Sequence, residues 1–141
     1  MTRIAHIPAF AFAAAAMLLG GATVQAAGTK PHLTGAEKLA KRLDGWVAGT
    51  PVDCISMPMI SSSQVYDKTA IVYDAGRTLY VQRPRSGAES LDDDDILVTK
   101  LTSSQLCSID TVQLRDRSSG FMRGFVGLDK FVPYTRAPKA K

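Results

Sequence analysis

Two cysteines, two methionines, a run of four aspartates and a pair of arginines are the side chains here whose chemistry and spacing call for explanation. Cys54 and Cys107 are the only thiols. In a chain that leaves a reducing compartment, an even cysteine count reads as a disulfide. The bridge would close a loop of 54 residues, counting both ends, and the chain-entropy relation gives such a loop about 4 kcal/mol of stabilisation. No Cys-x-x-Cys pair is present to make a redox thiol. Cys54-Ile55-Ser56-Met57-Pro58-Met59 also brings a thiol and two thioethers within six residues. Soft sulfur of that kind selects Cu(I), and Met57 and Met59 would share a side if the segment were extended. A disulfide would consume the Cys54 thiolate, and methionines commonly fill gaps in a core.

Asp92, Asp93, Asp94 and Asp95 offer hard oxygen ligands suited to Ca²⁺. The alternating ligands and glycine of an EF-hand loop are missing, and adjacent side chains on an extended segment point to opposite faces. The run therefore reads first as a solvated loop between strands. Arg83 and Arg85 flank a proline; their guanidinium forks suit an anionic ligand, and pairing with the aspartates in cis is the favoured use. Ser61–Ser63 and Ser118-Ser119 lack a nucleophile-elbow setting. His32 lies before the first predicted element. No catalytic residue and no cofactor are assigned, and carboxylate hydrolysis stands last among the readings.

These residues need elements to position them. Thr34-Gly35-Ala36-Glu37 fits a capping box. Ala36, Leu39, Ala40, Leu43 and Val47 follow at helical spacing, predicting one amphipathic helix of about ten to thirteen residues, ended by Gly45 or Gly49, with Trp46 as a semi-buried plug at its end. Strand signals run from Pro51 onward. They comprise Val52–Ile55, a tight hairpin of Gln64–Tyr66 and Thr69–Tyr73 around Asp67-Lys68, Thr78–Gln82 after a turn at Asp74–Arg77, Ile96–Thr99, Thr111–Leu114, Phe121–Val126 and a short edge at Phe131-Val132. Ser103-Ser104-Gln105 could open a helical turn around Leu106-Cys107, or a loop. The expected fold is α+β or mainly β: a short N-terminal amphipathic helix on an antiparallel meander sheet or small open barrel of about five to six strands.

The first 26 residues distort the composition. The chain of 141 residues is 45% hydrophobic and 21% charged, with a mean hydropathy of zero. Met1–Ala26 alone holds 18 hydrophobic residues and one charge, Arg3. A positive start, an apolar run of 13 residues to Leu19, a Gly20-Gly21 break and Val24-Gln25-Ala26 make a secretory leader cleaved between Ala26 and Ala27. A run of 13 is too short to span a bilayer, which takes about 20 residues. The expected organisation is a leader over 1–26, a linker over 27–33, one domain over 34–135 and a basic tail over 136–141. The net charge of +4 comes from Arg3 and from Arg136, Lys139 and Lys141, because residues 27–135 hold 13 basic and 13 acidic side chains. That neutrality argues against nucleic acid as a partner.

Pro51–Ile55, Tyr66–Tyr73, Thr78–Val81 and Gln105–Asp110 together resemble a family of small exported proteobacterial proteins of unknown function, over roughly Leu43 to Tyr134. The resemblance implies a periplasmic or surface setting and supplies no activity, cofactor or catalytic residue. Some members carry a lipid-anchoring cysteine after the leader, where this chain has none. The expected function is that of an exported, periplasmic or secreted, non-enzymatic domain working through surface contacts with an envelope protein or small ligand, without a membrane span or lipid anchor in the mature chain. The alternative is a small-ligand or metal-ion binder of the envelope, using Arg83 and Arg85, the Asp92–Asp95 loop, or Met57 and Met59.

Overall fold

A computed structural model describes residues 32–137; the leader, its cleavage point at Ala26 and Ala27, and the tail lysines lie outside them. Thr34 caps helix α1 (Gly35–Arg42) as its sequence requires. Its hydroxyl accepts the Glu37 amide at 3.3 Å while the Glu37 carboxylate takes the Thr34 amide at 2.8 Å. The helix stops five residues short of the periodic pattern. Gly45 turns the chain with φ +73°, and Trp46–Ala48 becomes strand β1. Backbone pairing of Trp46 with Arg136 and Ala48 with Tyr134 there replaces helical hydrogen bonds.

The remaining strands are β2 (Cys54–Ser56), β3 (Ser62–Tyr66), β4 (Ala70–Asp74), β5 (Thr78–Gln82), β6 (Asp95–Thr99), β7 (Gln105–Cys107), β8 (Thr111–Asp116), β9 (Met122–Gly127) and β10 (Phe131–Arg136). They form antiparallel sheets of order β1-β10-β5-β4-β3, β2-β7 and β6-β8-β9. Among the described residues the fold is mainly β, with one α-helix and no closed barrel. Ten strands in three sheets replace the expected five or six. Leu106-Cys107 belongs to a strand, not to a helical turn or loop. Phe131-Val132 opens a six-residue strand held between β1 and β5, not a short edge. Arg136 closes that strand, so the ordered fold runs past the expected start of the tail.

Both faces of the five-stranded sheet are covered. Ala70 and Val72 face α1, packing with Leu39, Leu79 and Val81. Ile71 and Tyr73 face the other two sheets, packing with Leu106, Val112 and Phe131. Alternation along β4 thus divides one continuous apolar run between two cores. Trp46 is half-buried on β1, between the Arg42 guanidinium at 5.8 Å and that of Arg136 at 4.8 Å. Gly87 sits at φ +77°, and a Cβ there would collide with the Phe125 carbonyl oxygen. We expect Gly87→Ala to cost at least about 2 kcal/mol in urea unfolding, since left-handed backbone alone costs an L-residue about 1–2 kcal/mol. An unchanged midpoint would contradict this close approach.

Candidate functional site

The aspartate run is a turn wired into its surroundings. Asp92 N–H donates to the Asp95 carboxylate at 3.0 Å, and Asp94 N–H donates to that of Asp92 at 3.1 Å. Asp93 N–H reaches back to the Asp67 carboxylate at 2.6 Å. The cations are Lys38, 2.8 Å from Asp93 and 3.9 Å from Asp67; Arg117, 2.9 Å from Asp94; and Arg123, 3.1 Å from Asp92 and 3.2 Å from Asp95. Neither Arg83 nor Arg85 pairs with these carboxylates, contrary to the expectation from sequence. Both are exposed. Arg83 lines a shallow pocket with Asp129 and Lys130, whereas the Arg85 amide donates to Gly127 O at 3.0 Å. They do not converge on one anion.

Arg123 reaches the run because of a register shift. Leu114 pairs with Gly124 and Arg115 with Met122, leaving Arg123 as the extra residue of a bulge. A bulge re-aims its side chain, here toward Asp92 and Asp95. Nothing in a one-dimensional pattern announces that. Asp95 is also no loop residue: it opens β6 and is 5% exposed. Burial pushes its pKa up, against the lowering effects of the Asp92 amide and Arg123. The Asp94 amide, followed by Arg123, holds Asp92 below its ordinary value. The Ser118 hydroxyl and the Ser119 amide and hydroxyl hold Asp116 well below its own.

These directions set a pH dependence. Asp92 and Asp116 contribute stability above the unfolded carboxylate pKa and lose it as pH falls through their lowered folded values. Asp95 acts oppositely: its contribution is present below the unfolded value and lost as pH rises through its raised folded value. Arg123→Ala removes the charge that opposes the Asp95 shift. We expect it to raise the Asp95 pKa further and to destabilise the fold at neutral pH, because a buried carboxylate loses its charged partner. That loss should shrink as acid protonates Asp95. Carboxyl-resolved NMR titration with urea unfolding reads both, and an unmoved Asp95 titration would contradict the pairing.

The geometry bears on each candidate chemistry. Carboxylate oxygens of Asp67, Asp92 and Asp93 lie within 4.8 Å of one another, but the Lys38 ammonium already answers two of them. Asp93 and Asp95 both border a cleft of about 400 Å³ between β3 and β6. The Asp95 side chain, however, has no exposed surface, and its two oxygens accept from Arg123 and Asp92, so it cannot touch a substrate. The sulfur cluster does not assemble. Cys54 is bonded to Cys107, and Met57–Met59 is a 3-10 turn, not an extended segment. Met57 packs on the core while Met59 is exposed. The Tyr73 hydroxyl is buried, without a hydrogen-bond partner among the described residues, and burial pushes its pKa up.

Sequence reasoning missed the outer face of β6-β8-β9. Register places Ile96, Arg115 and Met122 in one cross-strand row and Val98, Gln113 and Phe125 in the next. Ile96 is 40% exposed, and Met122 and Phe125 are each 54% exposed. Phe121, beside Met122 at the hairpin tip, is 77% exposed. Lys100 lines a shallow groove of about 300 Å³ with Val98 and Phe125. Arg85 covers the near side of Gly127, with its Nε 3.6 Å from where a Cβ would project. No family model matches the chain, and neither does any curated protein or solved structure.

Proposed function

We propose that this chain is an exported, disulfide-stapled, non-enzymatic domain that works through contacts made by the outer face of β6-β8-β9. That face carries the reading. It combines exposed Ile96, Met122 and Phe125 with cations, whereas the aspartate cluster is occupied by the protein's own lysine and arginines. The Cys54–Cys107 bond supports passage into an oxidising compartment, as do the leader pattern of Met1–Ala26 and the resemblance to small exported proteins. No helix among the described residues is long and apolar enough to cross a membrane.

Expression of the full chain in a bacterial host, followed by fractionation and mass spectrometry, tests export. The expected product begins at Ala27 and is lighter by two hydrogens than its dithiol form. An unprocessed chain with free thiols would overturn the reading. A thermal-shift panel of Ca²⁺, Cu(I) and small anions should leave Tm unchanged, because any ligand of the folded state raises it in proportion to its binding. A saturable rise with one of them would move the function to ligand binding.

A further inference from the structure

We infer that the outer face of β6-β8-β9 docks on the surface of an anionic lipid bilayer; this rests on the surface-contact reading above and names the partner. The argument is charge complementarity on an apolar ground. Arg85, Lys100 and Arg115 make no ion pair among the described residues, whereas Lys38, Arg117 and Arg123 are spent on the aspartates. No carboxylate occupies the outer rows, since Asp95 and Asp116 pair with each other on the alternate side of the strands. Cations without a carboxylate in the same rows thus stand beside exposed Ile96, Met122 and Phe125.

A bilayer offers what this face lacks: dense negative charge over an apolar interior. Arginine and lysine stems lie along apolar surface while their charged heads reach the headgroups. Exposed aromatic and aliphatic groups enter the boundary below, and Phe121 at the hairpin tip is 77% exposed. An acidic protein partner would favour a concave, desolvated pocket for its anchors. The apolar groups here instead spread over three strands, with a shallow groove beside Lys100 between them.

The described residues 32–137 fall within one compact unit, so the test uses the chain from Ala27 with its disulfide formed, without the apolar leader. Binding is read by co-sedimentation with phosphatidylcholine vesicles, with and without phosphatidylglycerol. The expected result is binding to the anionic vesicles only, weakened by salt. Arg115→Ser should weaken it about fivefold, as for loss of one basic residue at a charged surface. Met122→Ser combined with Phe125→Ser should weaken it about tenfold or more. Arg77→Ser, which removes a charge from the exposed β4–β5 turn, should leave it unchanged. Circular dichroism confirms that each variant is folded.

Equal binding to neutral vesicles, no binding to anionic ones, or indifference to Arg115→Ser overturns the proposal. Absence of vesicle binding with salt-sensitive retention on poly-glutamate also overturns it and reassigns the face to an acidic protein. Export is read separately from the mass of the processed chain, so failure of that reading cannot be mistaken for failure of this one.

Discussion

Phe131→Ala should lower the unfolding free energy by about 3–5 kcal/mol, the range for removing a buried phenylalanine side chain. Phe131 has no exposed surface, and its ring meets Tyr73 edge-on with centroids 5.9 Å apart. It opens β10, the strand between β1 and β5, and its backbone exchanges hydrogen bonds with Val52 at 2.8 and 2.9 Å. The lost ring therefore leaves a cavity where the five-stranded sheet meets the other two, walled by strands that cannot collapse inward without breaking their ladders. Against a typical total of about 5–15 kcal/mol, this is a large share. Urea unfolding with an unchanged slope would measure it, and a loss below about 1 kcal/mol would contradict the assigned core.

Removal of the disulfide should cost a similar amount, about 4 kcal/mol for a loop of this length. Cys54 and Cys107 stand opposite each other in the β2-β7 ladder, with Cα atoms 4.0 Å apart. The Cys107 amide donates to Asp110 at 2.7 Å. This ribbon has only three residues per strand, and an isolated two-stranded ribbon is marginal in water. Its Ile55 and Leu106 nevertheless belong to the core, so the covalent link keeps those side chains near their places in the unfolded chain. Unfolding of the oxidised protein should be compared with that of Cys54→Ala combined with Cys107→Ala. Equal midpoints would show that packing alone holds the ribbon.

Local chemistry was legible wherever a few adjacent residues settle the backbone. The capping box starts α1 as read, and Asp67-Lys68 and Asp74–Arg77 turn the chain between β3, β4 and β5. Two cysteines leave one intramolecular pairing, and that pairing forms. The misreadings share a cause. The periodicity through Val47 matched a helix until pairing with β10 drew Trp46–Ala48 into a sheet. Pro133 and the polar end of β10 concealed a strand that two neighbours define. Arg83 and Arg85 lay nearer the aspartates in sequence than Arg117 and Arg123 did, yet the β8–β9 hairpin delivers the latter pair.

By itself, the sequence determined the start of the helix, the tight turns, the meander at one end of the large sheet and the partner of each cysteine, because backbone torsions, capping groups and a two-member thiol set act over short range or allow one combination. Tertiary structure alone decided which cations meet which carboxylates, that Asp95 is buried, and that Ile96, Met122 and Phe125 share an outer face with Arg115. Strand register and a single bulge set those neighbourhoods, and both arise from pairings between segments far apart in the chain.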